Sequence, residues 1–300
     1  MQTRAGSPAI EATSANLALL AMTQFTPPVL QMLRCAPKHF PREFCRVSSS
    51  MFEPLTVLLV AGTFLLAGTV KGVIGLGLPA ISLGSLTVAL DLPTAMALTL
   101  VPSFVTNLWQ SVVGGNARSI LSRLWPFLLM STVTVWIGVH ALARLNPVLS
   151  AGLLGAVLVT YSVANLCGVR LTIPARHEVW AGSLIGSTNG VITGMTGSSV
   201  VPGVMFLQAI GLPRDVLIQA MGMLFTASTA ALAVALQQSN LLNLDQAILS
   251  AGAVVPAIVG MAGGQALRMR LSEQRFRAVF FIALLLLGTY IITNALRVIR

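Results

Sequence analysis

The sequence predicts an all-α, polytopic helical membrane protein with an internal duplication of two four-segment halves. The first observation is composition: 55% of the 300 residues are hydrophobic and only 9% are charged. A soluble domain carries about a quarter charged residues, so most of this surface must face lipid. The second is a series of long apolar segments separated by short loops, about 8 spans, or 10 if the two longest are split. The third is a glycine-rich stretch that occurs twice.

Charge indicates a membrane surface rather than a nucleic acid. Eighteen Lys and Arg stand against eight Asp and Glu, a formal net charge of +10. The arginines lie between apolar segments, as in loops against anionic headgroups, and no basic patch with interleaved aromatics supports nucleic-acid binding. Three cysteines form neither a disulfide framework nor a zinc motif. We therefore expect a lipid bilayer as partner, with no metal and no cofactor.

The apolar segments divide the chain into four parts. Residues 1–53 form a basic tail that we expect to be poorly ordered, 54–170 the first half, 171–178 a loop between the halves, and 179–300 the second half. The basic residues before Pro54, together with an even number of spans, predict that both termini are cytoplasmic in the inner (plasma) membrane. The arginines at positions 268–277 disagree with that orientation.

The duplicated stretch reads LAGTVKGVI from Leu66 to Ile74 and LIGSTNGVI from Leu184 to Ile192, 118 positions later. Glycine and proline follow both copies, at 75–79 and at 193–202. Glycine and proline interrupt helices, and such breaks in corresponding segments of two half-repeats point to a transporter's binding site.

The first copy lies within an apolar segment of 36 residues, 55–90. A single helix of that length would be about 54 Å long, against a hydrocarbon core of about 30 Å. It must tilt strongly, break between Gly72 and Pro79, or form two segments. The second copy lies in a similar segment, 180–210. If each long segment counts once, the halves are parallel repeats; if each is two, the odd number per half makes them inverted.

Lys71 is the single charge in the first long segment. A lysine at the bilayer centre costs about 2.5–3.5 kcal/mol even on lenient scales, so it is a candidate contact for an anion. The alternative is a lysine that snorkels to an interface. His140, near the end of a span, is better explained by packing or by the interface.

The glycines divide into two groups. We expect close helix contacts at Gly68, Gly186, Gly260 and Gly264. We expect an unwound backbone with free N–H groups, able to hold an anion, at Gly75, Gly77, Gly194 and Gly197. The complete candidate substrate-binding set is Lys71, Gly72, Gly75, Gly77, Asn107, Asn189, Gly190, Thr193, Gly194, Thr196, Gly197, Ser198 and Ser199.

These motifs resemble a known family. GTVKGVIGLGLPA with DLPTAMALTLVPSFVTNL, and GSTNGVITGMTGSSVVPGVMFLQAIGLP, are similar to the two halves of the TauE/SafE group of sulfite exporters and related anion transporters, over about Leu55 to Leu296. The resemblance implies a secondary transporter that exports a small anion, such as sulfite, a sulfonate or a related organosulfur or carboxylate anion. One departure is that the second copy has Asn189 where the first has Lys71.

Two other classes of function compete with transport. An intramembrane enzyme would need an acid, a base or an activated nucleophile within the spans, which hold almost no Asp or Glu. A structural subunit of a membrane complex is disfavoured by the paired breaks. No G-x4-G-K-[ST] motif for ATP is present. We therefore expect no catalytic residue; whether the protein forms a homo-oligomer is open.

Overall fold

The structure, a computed structural model, describes residues 53–169, 171–268 and 273–299. The basic tail expected over residues 1–53 lies, apart from its last residue, outside the described part. Across these ranges the regular elements are all helical, as the composition predicts.

The α-helices are numbered here in chain order. They are α1 Pro54–Ile74, α2 Leu78–Ala89, α3 Leu92–Val112, α4 Ala117–Val133, α5 Val135–Arg144, α6 Pro147–Leu166, α7 Glu178–Thr196, α8 Met205–Ala209, α9 Arg214–Gln238, α10 Leu244–Gly252, α11 Val254–Arg268 and α12 Glu273–Ile299. A short 3-10 helix, Ala175–His177, precedes α7, and a five-residue π-helical turn, Val200–Val204, precedes α8.

Six helical segments of the described chain are long and apolar enough to cross a membrane, so this is a multi-pass protein. They are Pro54–Ile74, Ala117–Arg144, Pro147–Leu166, Arg214–Gln238, Leu244–Arg268 and Gln274–Val298. The expected count of eight is therefore not confirmed. Helices α3 and α7 have 21 and 19 residues but are outside the six, and both carry many of the polar side chains described below.

Both long apolar segments are broken at glycine. Helix α1 ends where Gly75 has a φ of +86°, and its N–H donates to the Lys71 carbonyl at 2.7 Å. Gly77, at φ +106°, precedes α2. Helix α7 ends in the same way at Gly197, with a φ of +76°. Side chains disfavour this left-handed region, so glycine is the residue that permits these ends. Gly194 differs from expectation, because it lies inside α7 rather than in unwound backbone.

After the second break the chain folds back along α7. Thr193 and Ser199 join their hydroxyls at 2.8 Å, and farther from the break the Asn189 side-chain oxygen accepts the N–H of Gly203 at 2.9 Å. The return leg thus runs antiparallel to α7. We call α7 with its return leg, residues 178–210, hairpin 2.

Hairpin 2 is closed at its base. The Ile173 N–H, just before α7, donates to the carbonyl of Ala209 at 3.0 Å. Arg123 of α4 makes a two-pronged ion pair with Glu178, with N–O distances of 2.7 and 2.9 Å, and also reaches the Ile210 carbonyl at 3.5 Å. Because the Glu178 side chain is only 8% exposed, this pairing offsets the cost of burying a carboxylate.

Helices α1 and α2 form hairpin 1, residues 54–89, and contacts with neighbouring helices show that the two run in opposite directions. Two residues separate α2 from α3, and Thr99 of α3 donates to Ser82 of α2 at 3.2 Å, so these helices are antiparallel. Helix α10 runs parallel to α3: Gln246 donates to Thr94 at 3.2 Å, and Ser250 donates to the Leu98 carbonyl at 2.8 Å.

Helix α1 runs parallel to α11, which continues α10. A Cβ added to Gly68 would lie 2.2 Å from the Ala257 carbonyl oxygen, and one added to Gly72 would lie 2.2 Å from that of Met261, so both helices advance together by four residues. Since α1 is parallel to α3 and α2 is antiparallel to it, the chain reverses at the first break.

The two hairpins enter the bundle from opposite ends. We call the end where hairpin 1 and α3 begin the α1 end, and the end where hairpin 2 begins the α7 end. The C-terminal end of α3 lies at the α7 end, since the Asn116 N–H after it donates to Gln219, near the start of α9, at 2.9 Å. Each long segment is therefore a hairpin whose two feet lie at the same end, rather than one broken crossing.

Candidate functional site

Both breaks border one small cavity, which we call the central cavity. Its space for the centre of a water-sized sphere is about 10 Å³, enough for about one water molecule. Pro79 follows the first break and Gly197 forms the second, so the hairpins approach each other here. The lining residues are Pro79, Leu83, Met96, Thr99, Leu100, Ser103, Gly197, Thr229 and Leu232.

Unpartnered polar atoms lie in and beside the central cavity. Ser103 lines it, Ser198 and Ser228 adjoin a lining residue in the sequence, and Asn107, one helical turn beyond Ser103, is not itself a lining residue. All four side chains are at most 2% exposed, yet their hydroxyls and the Asn107 side-chain nitrogen have no hydrogen-bond partner among the described residues. A buried polar group left unpaired costs about 1–3 kcal/mol, so this cluster requires an explanation, and a ligand that accepts its hydrogen bonds is one.

Lys71 lies near this cluster, on α1, with 4% of its surface exposed. Its ammonium donates to the Thr106 hydroxyl at 3.1 Å and to the side-chain oxygen of Asn107. Both acceptors are neutral, and the single salt bridge found among the described residues is elsewhere, between Arg123 and Glu178. The snorkelling alternative is wrong, because the ammonium is enclosed by protein. A buried cation without a countercharge is costly and attracts an anion.

A proline positions the acceptors of Lys71. Pro102, inside α3, has no N–H for the carbonyl of Leu98, which instead accepts from Ser250 of α10 at 2.8 Å. One turn later the Thr106 hydroxyl donates to the Pro102 carbonyl at 2.7 Å, which directs its lone pairs toward Lys71. The interruption of α3 is thus stabilised by hydrogen bonds from outside and within the helix.

The candidate residues of hairpin 2 are mostly engaged in holding it together. The amide of Asn189 accepts from Gly203 and donates to Ser131 at 3.5 Å. The Thr193 hydroxyl donates to the Asn189 carbonyl at 2.7 Å and is hydrogen-bonded to the Ser199 hydroxyl. Thr196 donates to a backbone carbonyl one turn before it. Among these hydroxyls, that of Ser198 has no partner within the described structure.

The position equivalent to Lys71 at the second break differs between the sequence repeat and the structure. The sequence repeat aligns Lys71 with Asn189. The left-handed glycines instead place Lys71 and Thr193 at equivalent positions, since each gives its carbonyl to the glycine four residues later. The second break has no lysine at either position.

Several glycines make close contacts between parallel helices, among them seven that the sequence analysis singled out. The expectation is confirmed for Gly68, Gly186, Gly260 and Gly264, where an added Cβ would lie 2.1–2.6 Å from a carbonyl oxygen of the facing helix. The same holds for two candidate site residues, Gly72 and Gly194, each 2.2 Å from such an oxygen, of Met261 and Val135. At a third, Gly190, the added Cβ would lie 2.1 Å from the Thr134 hydroxyl oxygen and 2.6 Å from the Ser131 carbonyl oxygen. The close approach of the facing helix therefore explains why glycine occupies these three positions, and no ligand is needed to explain it.

The first break retains the geometry of an anion-binding helix end, whereas the second does not. Helix α2 starts after Gly77 with no side-chain cap, so the N–H groups of Leu78 and Ala80 have no cap, while Pro79 between them has no N–H. At the second break Val201 is extended, with φ −120° and ψ 126°, and the turn is not a regular helical start. Gly75, Gly77 and Gly197 adopt the open backbone that was expected.

Sequence reasoning missed Thr99, Ser103, Ser228 and Thr229. A signal for the first pair existed, because Thr99, Ser103 and Thr106 recur at spacings of four and three, which is one face of a helix. No three His, Cys, Asp or Glu side chains in the described ranges are grouped so that they could hold a metal ion.

Comparison with known proteins supplies the family. The family model Sulfite exporter TauE/SafE matches residues 60–291, most of the chain. The chain belongs to the TauE/SafE sulfite exporter family. The matched range contains the two breaks, Lys71 and the whole lining of the central cavity. For this TauE/SafE protein, neither a search of curated proteins nor one of solved structures found a match.

Proposed function

We propose that this protein is a secondary transporter that exports a small anion, such as sulfite, a sulfonate or a related organosulfur or carboxylate anion. The anion would bind at the central cavity between the hairpins, with Lys71 as its countercharge. The observation that carries the proposal is a buried ammonium whose two acceptors are neutral, beside hydroxyl and amide groups that have no partner. Membership of the family supports transport of this class of solute.

The chemistry of the site favours a small anion over a cation. Its unpaired groups are three hydroxyls and one amide nitrogen, and hydroxyl or amide N–H groups can each donate to an anion's oxygen. The first N–H groups of α2 and the positive end of that helix add to the same potential. A metal cation would instead need carboxylate or carbonyl ligands, and no acidic side chain lines the cavity.

The central cavity as it stands has space for about one water molecule, which is too little for sulfite. Binding therefore requires the hairpins or the helices around them to move. We infer that opening alternates between the α1 end and the α7 end, with each hairpin controlling access from one side.

We also infer that the two halves are an inverted duplication. In each half a hairpin is followed by three crossings: α3, α4 with α5, and α6, then α9, α10 with α11, and α12. Helix α1 packs in parallel against α11, and α7 packs in parallel against α4 and α5. An odd number of crossings per half reverses the orientation of the second, which accounts for hairpins from opposite ends. On this proposal the plasma membrane is crossed six times: α1, although long enough to cross, belongs to hairpin 1, and α3 crosses instead.

Labelling of introduced cysteines tests this topology. In a chain whose Cys35, Cys45 and Cys167 are replaced by serine, we expect cysteines at 53 and 89 to react with a membrane-impermeant maleimide from one side of the membrane. We expect a cysteine at 175 to react from the other. Hairpin 1 returns the chain to its starting side, so 53 and 89 lie together. Three crossings then carry the chain to the opposite side before residue 175. The corresponding native residues, Glu53, Ala89 and Ala175, are all exposed.

The alternative with eight crossings in parallel halves makes the opposite assignment. It places 53 and 175 together and 89 across the membrane. That result would overturn the inverted arrangement, and measuring the three positions in the same vesicles removes ambiguity about vesicle orientation.

Uptake of radiolabelled sulfite by proteoliposomes of the purified protein tests the function. We expect saturable uptake without ATP, reduced by competing sulfonates, because the site has one cation and several neutral donors and no nucleotide motif. Vesicles without protein are the control, and recovered sulfite must be chemically unchanged. Altered sulfite would favour an intramembrane enzyme, and a need for a second protein would favour a structural subunit.

A further inference from the structure

A second cavity, of about 450 Å³, opens at the α7 end. Its walls come from the C-terminal turn of α6, the connection that follows, the return leg of hairpin 2 and the first turns of α12. The lining residues are Ala164, Asn165, Gly168, Val169, Leu171, Thr172, Met205, Gln208, Ala209, Gly211 and Arg277. We call it the Arg277 cavity.

The described part of the lining carries charge of one sign. Among the described residues Arg277 is its single charged member, and the other polar side chains are Asn165, Thr172 and Gln208. Arg277 makes no salt bridge with any described carboxylate. Its guanidinium can present several N–H donors in one plane, a geometry that fits an oxyanion.

A buried hydroxyl behind the wall of this cavity also has no partner among the described residues. Tyr161 is one turn before Asn165 on α6, is fully buried, and its hydroxyl makes no hydrogen bond within the described structure. Its ring packs edge-on against Phe281, one turn after Arg277, with centroids 5.3 Å apart. Tyr161 does not itself line the cavity, so its hydroxyl lies behind the wall that Asn165 and Arg277 help to form.

We propose that the Arg277 cavity is a second oxyanion site, separate from the central cavity. Its ligand carries a sulfite-like or phosphate-like group that the guanidinium binds. Two sources offer this chemistry: the transported anion, for which the cavity is a waiting position, and the phosphate of an anionic lipid. The first source rests on the proposed transport function and the second does not.

The place of the cavity favours the transported anion. Met205, Gln208 and Ala209 belong to the return leg of hairpin 2, whose other end carries Ser198 beside the central cavity. An anion held at Arg277 therefore lies against the same hairpin that must move to admit it.

Binding of radiolabelled sulfite to purified protein in lipid-free detergent micelles tests the proposal. The Lys71→Met background removes the cation of the central site, so that remaining binding reports the Arg277 cavity. We expect Arg277→Gln to raise the dissociation constant about tenfold or more, since the guanidinium supplies charge-assisted hydrogen bonds that a neutral amide cannot replace. Arg277→Lys, which keeps the charge, should recover part of the affinity and guards against simple misfolding.

Arg275→Gln is the matched control. Arg275 lies two residues before Arg277, and its side chain is exposed and does not line the cavity, so the variant removes the same charge outside the site. A parallel arm measures phosphatidylglycerol that remains bound after purification from phosphatidylcholine–phosphatidylglycerol vesicles. Sulfite binding lost only in Arg277→Gln supports a site for the transported anion. Lipid lost only in that variant, without sulfite binding, supports the lipid phosphate.

Equal results for Arg277→Gln and Arg275→Gln in both arms would overturn the second site. The proposed function would fail separately, if proteoliposomes of the wild-type protein took up no labelled sulfite. The two failures are therefore distinguishable in the same set of variants.

Discussion

Replacing Lys71 with methionine is expected to reduce kcat/KM for sulfite uptake about 100-fold, because the charge-assisted contacts of a buried ammonium with an anion contribute about 3 kcal/mol. Methionine has a similar length but no charge and no N–H donor. The remaining hydroxyls and amide could still hold the anion weakly, but nothing would neutralise it. The measurement is the initial rate of labelled sulfite uptake into proteoliposomes with equal amounts of protein.

The fold of this variant should persist. Removing the buried charge relieves its desolvation cost but leaves the Asn107 side-chain oxygen without its donor, so the two effects oppose each other and the temperature of thermal unfolding should change little. Leu66→Met is the matched control, since it places methionine on an exposed position of the same helix, with 58% of Leu66 accessible. Uptake by Lys71→Met within threefold of the wild type would exclude Lys71 as the anion's countercharge.

Replacing Gly264 with alanine is expected to destabilise the protein by at least about 2 kcal/mol, because overpacking costs about 1–3 kcal/mol or more. The added Cβ would lie 2.1 Å from the carbonyl oxygen of Thr69, and the nearest atoms all belong to backbone. No side chain can move aside, so α1 and α11 must separate. Thermal unfolding of the purified protein measures the loss.

The neighbouring residue supplies the control. Gly263 has no atom within 4 Å of the position of an added Cβ, so Gly263→Ala should be neutral or slightly stabilising. We also expect Gly264→Ala to weaken uptake, since α1 carries Lys71. Similar stabilities for the two variants would show that the close approach of α1 and α11 does not constrain the fold.

The locations of the breaks could be predicted from sequence, and one error shows the limit. Glycine next to proline marked positions 75–79, and Gly75 and Gly77 indeed have positive φ. Gly194 was assigned to unwound backbone by the same logic. In the structure it is helical, and its small size is needed by the Val135 carbonyl of a facing helix. A glycine that opens the backbone and one that admits a neighbour look identical in sequence.

The candidate site was predictable in one half more than in the other. Lys71 and Asn107 were both identified, but their hydrogen bond joins residues 36 positions apart on different helices. Asn189 was identified as the counterpart of Lys71, yet its amide accepts from Gly203 and holds hairpin 2 closed. Repeats preserve spacing within a helix, whereas a side chain's role depends on what the neighbouring helix offers.

By itself the sequence determined that this chain occupies a membrane, that its helices are long and apolar, and that two of them end at glycine. These properties depend on composition and on the backbone freedom of glycine, and both can be read from short segments of the sequence. The tertiary structure alone decided that the chain reverses at both breaks, that the hairpins enter from opposite ends, and that Lys71 faces neutral acceptors. The direction of the chain after each break and the hydrogen-bond partners of Lys71 depend on which helix faces pack together. Packing between segments distant in sequence leaves no local pattern.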